Sequence, residues 1–89
     1  MITSTVTIIN KLGLHARAAA KFVATASAFG CEIKVTKEGQ QVDGKSIMSV
    51  MMLAANKGSE LEVQCNGNDE MKAHKALIAL VNQRFDEDE

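Results

Sequence analysis

Glu60-Leu61-Glu62-Val63-Gln64-Cys65 alternates polar and apolar side chains without a break. Period two is the signature of a strand with one buried and one wet face. Thr5-Val6-Thr7-Ile8 and Glu32-Ile33-Lys34-Val35-Thr36 repeat it. Lys37-Glu38-Gly39-Gln40 reads as a hairpin turn into a short strand around Val42. Strands of a buried parallel sheet would be apolar on both faces, and these are not.

Between the strands the period lengthens. After the break at Gly13, Ala16 to Ala28 reads as helix, with Ala19, Phe22, Val23 and Ala26 on one stripe, Phe29 at its apolar end and Gly30 as a left-handed cap. Asp43-Gly44 turns into a short helix from Ile47 to about Leu53, capped by Ser46. Gly67-Asn68-Asp69 introduces a last helix with Met71, His74, Leu77, Ile78, Val81 and Phe85 on one face. The order is βαββαβα. One-sided strands and three helices predict an α+β fold, a two-layer open-faced sandwich with one antiparallel sheet covered on one side.

At 89 residues the chain makes one domain, with no room for a deep enclosed cavity. A formal charge of −1 argues against a general nucleic-acid or membrane-surface binder. Three Phe and no Trp or Tyr argue against a base-stacking platform. No leader-like segment or membrane-length apolar run is visible, and two cysteines are too few for a disulfide framework, so a cytoplasmic setting is expected. Their spacing with His15 and His74 fits no metal motif, and no cofactor is expected. Residues 1–45 carry six basic and three acidic side chains, whereas residues 46–89 carry four and eight. Half of those eight form Asp86-Glu87-Asp88-Glu89, which reads as a frayed, solvated end beyond a mildly positive working face.

Two segments depart from simple packing. In Lys11-Leu12-Gly13-Leu14-His15-Ala16-Arg17, His15 takes the helix-cap position where Ser, Thr, Asp or Asn is preferred. Unpaired amides at a helix start attract anions, and Arg17 adds a guanidinium suited to phosphoryl oxygens. A histidine able to accept a phosphoryl group beside such donors is chemically coherent, although His-Ala-Arg alone also describes an ordinary surface. In Ile47-Met48-Ser49-Val50-Met51-Met52-Leu53 the short helix is apolar nearly all round. Either its methionines fill a small core, or some stay exposed as an adaptable contact surface. His74 reads as a core or boundary histidine.

The chain resembles the histidine phosphocarriers of the HPr family, from the bacterial phosphoenolpyruvate-dependent phosphotransferase system. Three stretches carry the resemblance: Asn10-Lys11-Leu12-Gly13-Leu14-His15-Ala16-Arg17, Gly44-Lys45-Ser46-Ile47-Met48-Ser49-Val50-Met51 and Ala54-Ala55-Asn56-Lys57-Gly58. The resemblance implies a four-stranded antiparallel sheet in the order 1-4-2-3. It implies that His15 takes a phosphoryl group from enzyme I on its δ nitrogen and passes it to a IIA component of a sugar permease. Arg17 and the backbone of Ala16 and Arg17 would receive the phosphoryl oxygens, while Ile47, Met48 and Met51 would form the docking surface. Ser46 matches a position modified by an HPr kinase/phosphorylase. Such a carrier is expected to be a monomer, to act with partner enzymes rather than as one, and to use neither nucleic acid nor membrane insertion.

Ala18 stands where the family commonly has proline, and it propagates helix well. The ending Val81-Asn82-Gln83-Arg84-Phe85-Asp86-Glu87-Asp88 is also similar to NPr, the paralogue of the nitrogen-related branch, whereas the Ser46 segment looks more like HPr. A small ligand-sensing or interaction domain without phosphoryl chemistry is the alternative of a different class. The implied strand order places Cys31 and Cys65 near each other on the covered face, as reduced thiols.

Overall fold

A computed structural model describes every residue from Met1 to Glu89. Its elements are β1 (Ile2–Thr7), α1 (Ala16–Ser27), β2 (Glu32–Lys37), β3 (Gln40–Asp43), α2 (Ile47–Met52), β4 (Glu60–Asn66) and α3 (Glu70–Asn82), followed by a single turn at Arg84–Asp86. The strands form one sheet in the order β1-β4-β2-β3, every pair antiparallel. The expected α+β sandwich and its 1-4-2-3 sheet are therefore what the chain forms.

The alternation that defines the strands also fixes their register. Val6 faces Leu61, Val35 faces Val63, and Ile33 faces Cys65. A slip of one residue would turn each inward side chain to water. Ile33, Val35, Leu61, Val63 and Cys65 are consequently buried, under Phe22, Ala26, Val50, Leu77 and Val81 from the helices. Glu38 and Gly39, both at positive φ, make the two-residue turn between β2 and β3, which suits the twist of a hairpin.

The helices differ from expectation in detail. On α3 the buried face is Ala73, Leu77 and Val81, whereas Met71 is exposed and His74 half-buried with its Nε2 against Ser4 Oγ. Ala73, Leu77 and Val81 follow one another at four-residue spacing on the inward face, and Met71, six positions before Leu77, falls off it. Phe85 is buried but lies beyond α3, in the turn. Helix α1 ends at Ser27, and Gly30 is not left-handed. The Asp69 carboxylate accepts from Gly30 N–H (2.8 Å) and Cys31 N–H (3.0 Å), tying the exit of α1 to the start of α3. Those bonds satisfy amides that need no left-handed cap.

Cys31 and Cys65 are free, buried thiols. Burial, and then the neighbouring Cys31 thiol, push Cys65 up from an ordinary 9.0 to about 11. Burial also raises Cys31, with Asp69 adding to it. Both thiols should resist a water-soluble disulfide reagent in the native protein and react at once in denaturant. A thiol raised in the folded state leaves stability intact below pH 9 and lowers it as pH rises from 9 toward 11. Cys65→Ala should flatten that alkaline loss, which a pH series of urea melts measures.

Candidate functional site

The loop from Asn10 to Leu14 decides where His15 stands. Gly13 has φ +68, and a Cβ there would lie 2.6 Å from Ala55 O. Only glycine allows this approach. It brings Leu14 N–H to Ala55 O at 2.8 Å, which joins the start of α1 to the chain leaving α2. Buried Asn10 stiffens the loop from within, donating to Gly13 O at 2.8 Å.

His15 is the N-cap of α1, with extended backbone and no side-chain capping bond. The first α1 amide bonded back along the chain is Ala19 N–H, to His15 O, so the amides of Ala16, Arg17 and Ala18 have no partner within the helix. No acidic side chain occupies that first turn. Arg17 is exposed and makes no ion pair within the chain, while Ala18 is buried. The expected histidine, guanidinium and free amides thus share one shallow surface depression.

The acidic end is also there. Lys11, Leu12, His15, Ala16, Arg17, Glu87, Asp88 and Glu89 line the depression, so two cations stand against three carboxylates. The expectation of a frayed tail beside a positive face needs correction. Phe85 is buried, its carbonyl accepts from Lys21 Nζ at 2.7 Å, and Lys11 N–H bonds to Glu89 O. The Glu87 carboxylate meets His15 Nε2 and accepts from Asn10 Nδ2 at 3.0 Å. Burial works against its ionisation, but the bonds from Asn10 and His15 outweigh that and hold Glu87 below its ordinary 4.5. A run of like charges normally stays in water, and the signal to the contrary was Phe85, a large apolar side chain just before the run.

Beside the depression lies an apolar surface. Val50 and Leu53 turn inward, whereas Met48 and Met52 are each 68% exposed and Ile47 and Met51 are partly so. Leu12 is equally open. The exposed reading of the short helix's methionines is the one the structure takes, Met52 included, whereas Leu12, in a loop with no periodic pattern, was not picked out as part of this surface. Ser46 caps α2, its Oγ accepting from Ser49 N–H at a long 3.4 Å.

No group of three His, Cys, Asp or Glu side chains is placed to hold a metal ion, and no helix is long and apolar enough to cross a membrane. Fold and site together define a small two-layer domain that presents a helix-capping histidine at its surface. A family model described as the PTS HPr component phosphorylation site matches residues 2–83. The phosphocarrier protein HPr of Pseudomonas aeruginosa is 56% identical over 85 residues, 94% of each chain. That of Neisseria meningitidis serogroup B is 53% identical over the whole of both. The crystal structure of HPr-C-His from Thermoanaerobacter tengcongensis matches with a TM-score of 0.96 and 44% identity, covering all of both chains. The chain belongs to the HPr family of phosphocarriers of the phosphotransferase system, a family of carriers rather than catalytic enzymes.

Asn10→Ala should free both Gly13 O and Glu87 and lower stability by ~1–3 kcal/mol, read from the shift of the urea midpoint. Because Glu87 is lowered in the folded state, its stabilising contribution is complete above about pH 4.5 and is lost as pH falls through the lower folded value. Glu87→Gln should therefore weaken the acid dependence of stability below that pH.

Proposed function

We propose that His15 accepts a phosphoryl group on Nδ1 from phospho-enzyme I and hands it to a IIA component. The observation that carries this reading is a histidine at the cap of α1, beside Arg17 and three first-turn amides without helical partners. Arg17 and the amides of Ala16 and Arg17 follow the phosphoryl oxygens, and the charge they meet is spread over those oxygens in a loose transition state. A shallow site suits a carrier, since the next histidine must reach the phosphorus in line. Leu12, Ile47, Met48, Met51 and Met52 form the docking surface around it, displacing water from the rim. The carrier works as a monomer in the cytoplasm. The relatives named above are HPr proteins, which favours that branch over NPr.

Ser46 supports a second layer of control. A phosphate on its Oγ would add −1.5 to −2 charge at the edge of the apolar surface. The start of α2 tolerates that charge, but a partner closing over Ile47 and Met48 would have to desolvate it. An HPr kinase/phosphorylase fits this chemistry.

Incubation with phosphoenolpyruvate and enzyme I should add one acid-labile, base-stable phosphate, seen as a mass increase. The same modification in His15→Ala would overturn the assignment and favour a plain interaction domain. Met48→Asp combined with Met52→Asp should raise KM for this protein as substrate of enzyme I by about tenfold or more, with an unchanged circular dichroism spectrum. ATP and the kinase should add an acid-stable phosphate that is absent from Ser46→Ala.

A further inference from the structure

The carrier reading uses one nitrogen of the His15 ring and leaves the other unexplained. That other nitrogen, Nε2, bonds to the Glu87 carboxylate, and the second carboxylate oxygen accepts from Asn10 Nδ2 at 3.0 Å. Asn10 is fully buried and is also bound to Gly13 O, so the carboxylate is held from inside the loop that carries His15. An ionised carboxylate can only accept. The hydrogen in the contact therefore sits on Nε2, and in a neutral imidazole this leaves the lone pair on Nδ1. No group of the chain bonds to Nδ1.

The tail is built to deliver this contact. Arg84, Phe85 and Asp86 all have positive φ (57, 53 and 64), which L-residues adopt only when something else holds them there. Phe85 is fully buried, Lys21 Nζ bonds to its carbonyl, and Lys21 also lies 3.8 Å from Asp86. This left-handed turn reverses the chain after α3 and returns Glu87 to His15. Lys11, Arg17, Asp88 and Glu89 share the depression, and Lys21 stands behind the turn, but Glu87 is the charged group that meets the ring.

We infer that Glu87 is a positioning residue that holds His15 in the tautomer whose Nδ1 is free to accept the phosphoryl group. The inference rests on the carrier reading, which supplies the reaction. As Nδ1 gives its lone pair to form the new N–P bond, the bond from phosphorus to the donor histidine nitrogen breaks. The electron pair of that bond stays on the donor. The Nε2 proton does not move, and positive charge gathers on the His15 ring. The Glu87 carboxylate, already in place across Nε2–H, faces that charge without rearrangement. On transfer to the next histidine the same changes run in reverse. A contact to the side of the ring remote from phosphorus need not be broken in either direction.

The test is the ring itself, observed by 15N-edited NMR at about pH 8, where ordinary imidazoles are neutral. His74, assigned by its disappearance in His74→Gln, serves as the internal reference. The unmodified protein should show His15 with Nε2 protonated, Nδ1 bare, and an Nε2 proton protected from solvent exchange. In Glu87→Ala that protection should vanish and a second tautomer should appear. Single-turnover transfer from phospho-enzyme I should slow on the order of tenfold, with KM within about twofold. Glu87→Gln, which keeps an acceptor oxygen, should restore the tautomer but only part of the rate. A proton on Nδ1 in the unmodified protein, equal exchange with and without Glu87, or an unchanged transfer rate would overturn the inference. If phosphate does not land on His15, the carrier reading falls, while the ring-nitrogen signals still decide the tautomer.

Discussion

The backbone of Gly13 packs directly on that of Ala55, and much of the surface depends on this approach. Because no side chain separates the two segments, Leu14 N–H reaches Ala55 O and the start of α1 is joined to the exit of α2. The histidine cap and the apolar helix are thereby brought side by side, although His15 and Ile47 lie 32 positions apart in sequence. Asn10 extends the same arrangement by reaching the C-terminal segment through Glu87. One glycine sets the distance between the histidine cap and the apolar helix.

What the sequence made legible follows from how local each signal was. Strand alternation needs only neighbours, and it identified the inward residues Ile33, Val35, Leu61, Val63 and Cys65. The cap position of His15 was equally local, since Gly13 ends one segment and an alanine-rich helix starts the next. The same locality failed at Met71, because size and hydrophobicity favour burial while the face that turns inward is the one shared by Ala73, Leu77 and Val81. It failed again at Gly30, where Asp69, 39 positions away, supplies what a local cap would have supplied. The docked tail was the largest gap. Nothing within four acidic residues distinguishes a solvated end from one whose second member bonds a histidine 72 positions earlier.

The electrostatics of the site change accordingly. A helix start and Arg17 alone would make a standing site for anions. The three tail carboxylates offset that field while leaving the first-turn amides of α1 without helical partners. An intermediate balance suits the phosphoryl transfer in and out proposed above. The balance belongs to the whole depression, because the tail crosses the loop that carries Lys11 and the helix that carries Arg17.

Sulfur is distributed unevenly over the molecule. Both thiols are buried, whereas Met48 and Met52 lie open on the exposed apolar surface. Peroxide in solution therefore meets thioether before thiol. Each methionine sulfoxide places a polar, chiral oxygen on a surface that is otherwise apolar. The folded core, with its cysteines enclosed, would be untouched by such damage, and a sulfoxide reductase could reverse it. Oxidation would thus change the character of the exposed surface while the folded core stayed as it was.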